Sequence, residues 1–316
     1  MPSVLSGPPP IFAGPQSAAR RFARFAWFAV GYNVAVILEG AFVRATGSGA
    51  GCGNHWPLCN GQVVFGTPAL ATVIEFAHRS MTVIDTALIL GLLVWAFRAF
   101  PKHHPVRLGA MLSTVFLVTE ALIGAALVKF GLVVNDASPA RAAMLCLHLA
   151  NTLTLLACLT LSAWWANHAR IRFNGRAWFS LAAVAFLGIT GVLAALADTL
   201  YPVHSLAAGF AQDLNPDANF VLKLRALHPF VAAAVGLWVM YYAASRAAAA
   251  RRHAWLVIAL VIAQLLAGVL NLLLLAPIGM QLVHLLLADL LWIGLVVLCG
   301  HSTSATPRRI SRSAPA

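Results

Sequence analysis

The residues of this sequence best suited to chemistry occupy five consecutive positions, Glu75-Phe76-Ala77-His78-Arg79, at the start of a long apolar stretch. A carboxylate can act as a general acid or base, an imidazole can bind a metal ion, and a guanidinium can bind a carboxylate. On a helix Glu75 and His78 share one face, because they are three residues apart. Glu75 also lies four residues before Arg79, so an ordinary ion pair between these two side chains is the alternative interpretation.

Four of the eleven histidines lie inside apolar stretches: His78, His148, His228 and His284. Each is predicted one to two turns into an even-numbered membrane span, so all four share one depth. Ionisable groups inside a bilayer are costly and usually face a bundle interior, and neutral imidazole is a common metal ligand. No cluster of acids or cysteines accompanies them in the sequence, which disfavours zinc; facing histidines between Leu-, Phe- and Ala-rich walls favour axial ligation of haem iron. A hydrogen-bonded core role, a quinone site and a solute site stay open.

The composition predicts that these residues are carried by membrane-spanning helices. Of 316 residues, 61% are hydrophobic and 9% are charged. A helix that crosses a bilayer needs about 20 mostly apolar residues, and only helices or closed barrels satisfy every backbone group in lipid. Eight stretches qualify, and they are too long for barrel strands: about 22–44, 71–97, 108–130, 143–166, 178–199, 223–245, 254–275 and 280–299. We therefore predict an all-α membrane protein with eight transmembrane helices.

The net charge of +12 comes from basic clusters that mark one side of the membrane. Fifteen of the 21 basic residues fall on the same side of an eight-helix arrangement, and none of the nine acids lies in those loops. By the positive-inside rule this side is cytoplasmic, so both termini are expected inside as tails at 1–21 and 300–316. This placement makes a nucleic-acid partner improbable. The proline-rich start lacks the apolar core of a cleaved signal peptide, and a multi-pass protein of a bacterial plasma membrane is expected.

The sequence repeats itself, which predicts two duplicated four-helix bundles at 22–172 and 173–299. The stretch "FLVTEALIGAALVKF" resembles "VIAQLLAGVLNLLLL", and "CLHLANTLTLL" resembles "LVHLLLADLLWI". The spacing from Gly40 to His78 is 38 residues, and that from Gly188 to His228 is 40. Each half then holds two of the four histidines, and bundles build cofactor sites from facing side chains. Glu75 precedes His78 by three residues whereas Arg225 takes that place before His228, so we expect one pocket to react and the other to serve it.

Arginines and cysteines near the predicted outer helix ends add two expectations. Arg79 and Arg225 are the preferred candidates for binding haem propionates, because guanidinium matches carboxylate geometry. Snorkelling towards lipid headgroups is the alternative for each. Cys52 and Cys59 lie in the first outer loop, where an oxidising compartment permits a disulfide that would stabilise the loop by roughly 2–3 kcal/mol.

Together these motifs resemble the haem A synthase family over essentially residues 22–299. The resemblance is carried by "GAFVRATGSGAGCGNHWPLCNG" followed by "EFAHR", with later histidines in "LHLANT", "LRALHP" and "QLVHLLLAD". It implies an oxidoreductase that converts the C8 methyl group of haem O into a formyl group, giving haem A for terminal oxidases. It also implies haem b as a cofactor bound by His228 and His284, and a haem O pocket formed by His78, His148 and the catalytic Glu75. The partners expected are haem O, a haem O synthase, and a quinone or other electron acceptor.

Two departures from the family and two rival functions accompany this interpretation. Some members carry a second cysteine pair in the outer loop between the fifth and sixth spans, and "DTLYPVHSLAAGFAQDLNPDANF" has none. Pro229 directly follows His228 and is expected to bend that helix. A bis-histidine haem protein that transfers electrons would use the same four ligands without needing Glu75. A solute transporter would also explain eight helices and repeats, but it favours discontinuous helices at mid-membrane.

Overall fold

The computed structural model describes residues 15–61, 68–168 and 173–300. Within these ranges the chain forms eight helices and no strand, as an all-α protein requires. They are α1 (Pro15–Ala45), α2 (Leu70–Ala99), α3 (Pro105–Lys129), α4 (Pro139–Trp165), α5 (Gly175–Leu200), α6 (Leu206–Leu214), α7 (Phe220–Leu273) and α8 (Ile278–Cys299). Seven of them are long and apolar enough to cross a membrane; the exception is the nine-residue α6. The chain is a multi-pass membrane protein.

Helix α7 contains two of the predicted spans. Its 54 residues would reach roughly 80 Å as one straight helix, although the apolar core of a bilayer is only about 30 Å thick. Ala250 leaves helical geometry with φ −145° and ψ 52°. A Cβ atom on Gly236 would lie 3.4 Å from side-chain atoms of both Val261 and Leu265, residues that a straight helix would hold about 37 Å away or more. The chain therefore folds back near Ala250, and the two arms of α7, 220–249 and 251–273, pack side by side.

Polar side chains before the helices set where several of them begin. Ser138 accepts a hydrogen bond from the Arg141 amide at 3.2 Å, directly before the proline that starts α4. Asn174 caps α5 in the same way, and Asn219 caps α7 through the Val221 amide at 3.1 Å. Such caps satisfy amides that have no partner inside the helix. They fix how far His148 and His228 lie from the ends of their helices.

The helices share one apolar core. Helix α3 packs on α4, α1 on α2 and α4, α5 on α7, and α7 on α8. Helices α4 and α8 meet in the middle, where the Trp292 indole donates a hydrogen bond to the Leu153 carbonyl at 2.8 Å. One continuous cluster of buried side chains draws on every long helix, with Phe22, Leu159 and Leu295 among its fully buried members. The predicted halves 22–172 and 173–299 are therefore joined by a common core, and their origin by duplication stays a prediction.

The two ends of the bundle differ in charge. One end, here called the histidine end, holds His78, His148, His228 and His284. At this end Arg44, near the last residue of α1, donates to the Ala195 carbonyl of α5 at 2.7 Å and to Gln281 of α8 at 3.0 Å. The described basic clusters lie at the opposite end, at the start of α1 and α5, between α2 and α3, and around Ala250. Arg170, Arg172, the residues from 301 onward and the proline-rich start to residue 14 lie outside the described residues. The cytoplasmic location of the basic end stays a prediction.

Candidate functional site

The first loop at the histidine end is fastened to α2 through its disulfide. Cys52 and Cys59 are bonded, which confirms the predicted pair, and both are fully buried. The Thr72 hydroxyl of α2 donates to the Gly51 carbonyl at 2.7 Å. A Cβ atom at Gly51 would lie 2.3 Å from the Ala71 carbonyl oxygen, so only glycine allows this close approach. The loop thus lies directly on the first turns of α2.

Glu75 joins this loop to α2. Its carboxylate is 2% exposed; one oxygen accepts a hydrogen bond from the Cys52 amide at 2.8 Å, and the other accepts from the Arg79 guanidinium at 2.5 Å. Arg79 also donates to the carbonyls of His55 at 2.7 Å and Leu58 at 2.9 Å. The ion pair expected as the alternative interpretation is therefore present, and it forms part of a tether between the helix and the disulfide loop. A catalytic role for Glu75 and a propionate role for Arg79 stay predictions.

Each of the four apolar histidines faces a glycine on the preceding long helix or arm. A Cβ atom on the glycine would lie close to the imidazole Cε1: 3.0 Å between Gly40 and His78, and 3.9 Å between Gly124 and His148. The second half repeats the arrangement, with 3.1 Å between Gly191 and His228, and 3.2 Å between Gly268 and His284. Glycine leaves the space that a flat ring occupies between close helices. The sequence analysis had matched His228 with Gly188, whose Cβ position instead faces Leu149 at 3.2 Å and Leu153 at 3.5 Å.

The histidines of each half lie near one another, and their joint binding of haem stays a prediction. His78 lies within electrostatic range of His148, and His228 lies within range of His284. They stand six to nine residues after the first residue of their helix (78 − 70, 148 − 139, 228 − 220 and 284 − 278). This is about two turns, slightly deeper than the sequence analysis expected. One pair lies on α2 and α4 and the other on α7 and α8, so the two halves of the chain place their histidines in the same way.

Three of the histidines have a polar neighbour that the sequence analysis did not identify. The Thr190 hydroxyl lies 2.8 Å from the Leu187 carbonyl and 2.9 Å from His228 Nδ1. The Glu120 carboxylate lies 3.3 Å from His148 Nδ1. The Gln264 amide nitrogen lies 3.2 Å from His284 Nε2. The signal was available in the repeat, since Glu120 and Gln264 each stand four residues before a glycine that faces a histidine.

Arg225 has acidic partners of its own. Its guanidinium lies 3.2 Å from an Asp198 carboxylate oxygen of α5 and 2.7 Å from one of Asp213. Asp213 is carried by α6, a short helix that the sequence analysis did not predict. Its start is capped by Ser205, which accepts from the Ala208 amide at 3.1 Å. Arg225 therefore fastens α6 and the end of α5 to the start of α7, and its predicted propionate contact stays a prediction.

Comparison with known proteins places this arrangement in a family. A family model described as COX15-CtaA, cytochrome oxidase assembly protein, matches residues 23–296, which include all four histidines and the disulfide loop. The chain belongs to the COX15-CtaA family. A Thermus thermophilus relative named protoheme IX farnesyltransferase is 45% identical over an alignment of 304 residues, which covers 92% of this chain and 50% of the relative.

Shorter stretches match relatives of another name. Proteins named heme A synthase are 39% identical over 98 residues in Halalkalibacterium halodurans and 43% identical over 108 residues in Geobacillus kaustophilus. These matches cover 31% and 33% of this chain, and 33% and 34% of the relatives. The chain spans about half the length of the Thermus relatives that it matches.

Proposed function

We propose that this protein is a haem A synthase, an oxidoreductase that converts the C8 methyl group of haem O into the formyl group of haem A. The observation that carries the proposal is that the two histidine pairs, which are placed alike, differ in the charged residue that precedes each pair. Glu75 stands three residues before His78 on α2 and holds the disulfide loop through the Cys52 amide, whereas Arg225 stands three residues before His228 on α7. Relatives named heme A synthase support the same assignment over about a third of the chain.

Membership of this family implies a haem cofactor, and the described side chains fit one. A haem iron needs ring nitrogens without competing protein partners. The Nδ1 atoms of His78, His148 and His284 are buried and have no hydrogen-bond partner among the described residues. The Gln264 amide lies 3.2 Å from Nε2 of His284, so it would have to turn away for an iron to bind that atom. Thr190 lies 2.9 Å from His228 Nδ1 and can accept a proton from it; in that tautomer the Nε2 lone pair is available to a metal. We assign haem b to His228 and His284, where it would supply one-electron redox chemistry.

The pocket of His78 and His148 is assigned to the substrate, haem O. Turning a methyl group into a formyl group with water as the oxygen source releases four electrons and four protons. Glu75 is placed to take a proton or to stabilise positive charge that develops at the reacting carbon. The electrons require an acceptor such as a quinone. A carboxylate fixed in a water-poor pocket attracts a developing positive charge more strongly than one in solvent does, because the local dielectric constant is lower.

Arg79 and Arg225 are proposed to bind the haem propionates of the two pockets. Both guanidiniums already have acceptors: loop carbonyls for Arg79, and two carboxylates for Arg225. Binding a propionate therefore exchanges or shares these partners. The exchange would couple haem binding to the disulfide loop in one pocket and to α6 in the other.

The remaining features of the proposal follow from charge and compartment. The basic end faces the cytoplasm of a bacterial plasma membrane, and the histidine end with its disulfide faces the oxidising side. The two halves are proposed to be duplicated four-helix bundles with eight spans. A haem O synthase is the partner that would supply the substrate.

The experiment is haem extraction from cells that make this protein beside a haem O synthase. The proposal predicts haem A in the extract only when this chain is present. Haem O alone, at a normal protein level, would refute it. Replacing either His228 or His284 by alanine should remove or convert the low-spin b-type spectrum, and an unchanged spectrum in both variants would refute the haem b assignment.

Farnesyl transfer is a second candidate, because the Thermus relative is named for that reaction and is 45% identical to this chain. The same cells without a haem O synthase separate the two functions. New haem O formed from haem B and farnesyl diphosphate would support the transferase. Bis-histidine electron transfer, the third possibility, predicts bound haem B and no modified haem in either strain.

A further inference from the structure

The carboxylate of Glu120 is held against one face of α4 inside the membrane-spanning region. It accepts from the Asn151 amide at 2.5 Å and from the Thr152 hydroxyl, and it lies 3.3 Å from Nδ1 of His148. The three α4 residues are spaced at i, i+3 and i+4, so they form one stripe. A carboxylate inside a bilayer is costly unless it has partners and a function.

The neighbours of Glu120 fix which of its contacts are hydrogen bonds. The Asn151 side-chain nitrogen donates to the Phe116 carbonyl at 2.8 Å, and a carbonyl can only accept, so this atom is the NH2 group and also faces Glu120. The Asn151 side-chain oxygen then accepts from the Thr119 hydroxyl at 2.6 Å. The contact with His148 is different: it is within ion-pair distance but lacks hydrogen-bond alignment. Two donors thus fix the carboxylate, which lies 3.3 Å from the His148 imidazole.

The second half of the chain has an amide where the first half has this acid. Glu120 lies four residues before Gly124, and Gln264 lies four residues before Gly268. Each of these glycines faces the histidine of the following helix, and each polar side chain contacts that same histidine. An amide is therefore sufficient to join two helices at this place. The negative charge of Glu120 is an addition that distinguishes the pocket of His148.

A carboxylate beside an imidazole has a known physical effect. It favours the form of the ring that carries the proton on the facing nitrogen, which leaves the other nitrogen free for a metal. It also makes the ring a stronger electron donor to that metal. At His284 the Gln264 amide nitrogen faces Nε2 and supplies no charge.

We propose that Glu120 is a positioning residue for His148, where it sets the tautomer and the donor strength of that iron ligand. Gln264, in the matching place, gives His284 a neutral partner. This inference rests on the proposed function in so far as His148 binds a haem iron. It makes the substrate haem more electron-rich, and so easier to oxidise, than the cofactor haem. The two pockets then differ at Glu120 of α3 and Gln264 of the second arm of α7, as well as at Glu75 and Arg225.

The test titrates ferric haem B into the purified full-length protein and follows binding and reduction midpoint. The haem that is lost in His148→Ala is the one in the first pocket. Glu120→Gln should weaken binding of that haem about tenfold or more and raise its midpoint potential, without changing the other haem. Glu120→Asp should restore part of both, and Gln264→Glu should lower the potential of the second haem only.

Thr119→Val is the matched control, because it removes a hydrogen bond between α3 and α4 and keeps the acid, while the Phe116 carbonyl still holds the Asn151 amide that donates to Glu120. It should lower the thermal unfolding temperature without moving either potential. Wild-type affinity and potential in Glu120→Gln, an equal shift in Thr119→Val, or no haem that depends on His148 would each overturn the inference. Formation of haem A is measured separately, by extraction, so a failure of the proposed function is seen independently of these shifts.

Discussion

Replacing Glu75 by glutamine should loosen the disulfide loop by a predictable amount. The carboxylate receives the Cys52 amide on one oxygen and the Arg79 guanidinium on the other. Glutamine keeps a single acceptor oxygen, so one of these two contacts is lost. Hydrogen bonds to charged groups contribute about 1.5–3 kcal/mol each, and we expect the opening of the loop to become easier by about 2 kcal/mol. At about 1.4 kcal/mol per factor of ten, this corresponds to roughly 30-fold.

The assay is the rate at which a water-soluble phosphine reduces the Cys52–Cys59 bond, followed with a maleimide mass tag. Both cysteines are fully buried, so reduction requires local opening of the loop, and its rate follows the opening equilibrium when closing is fast. Thr72→Val, which loses one neutral hydrogen bond to the loop, should accelerate reduction only about fivefold.

Glu120→Gln is the control for that assay, since it removes a carboxylate whose contacts lie on α4. Its reduction rate should equal that of the wild type. A Glu75→Gln rate within twofold of wild type, with the thermal unfolding temperature unchanged, would show that Glu75 does not hold the loop.

Three further predictions concern the glycines, Arg225 and the fold of α7. Gly40→Ala should reduce haem binding in the first pocket, because the new Cβ atom would lie 3.0 Å from His78, whereas Gly31→Ala meets nothing within 4 Å and should bind normally. Arg225→Met should lower the free energy of unfolding by about 1–3 kcal/mol, seen as a lower thermal unfolding temperature, because two partly buried carboxylates lose their cation. Cysteines placed at 236 and 261 should be joined by a short bismaleimide within one molecule; no cross-link would contradict the fold-back near Ala250.

Much of the helical organisation could be predicted from the sequence, because a run of about 20 apolar residues indicates a helix that crosses the bilayer. The sequence predicts two separate spans, 223–245 and 254–275. The structure joins both in α7, which leaves helical geometry only at Ala250. The short helix α6 was missed because nine residues in a polar segment give little periodic signal. Its role became visible only through the contact of Asp213 with Arg225.

The candidate site could be predicted in its residue types and less well in their partners. The four histidines were found because imidazoles are rare in apolar stretches. Their glycine neighbours require knowledge of helix rotation, which is why Gly188 was chosen where Gly191 is the residue that faces His228. Glu120 was overlooked although the repeat contains it, because an acid on the helix after Glu75 points to the site only when His148 is seen beside it. Arg79 and Arg225 were assigned to propionates before their loop and carboxylate partners were visible.

The central claim is that Glu75 stands beside a haem that this protein oxidises. The most direct measurement is the haem extracted from Glu75→Gln produced beside a haem O synthase, compared with wild type at equal protein level and equal bound haem. Thr72→Val accompanies it, because that variant loosens the loop and keeps the charge. The account predicts that Glu75→Gln binds haem but yields haem O or a partly oxidised intermediate, while Thr72→Val still yields haem A. A wild-type yield of haem A from Glu75→Gln would contradict the account and leave the carboxylate as a tether for the disulfide loop.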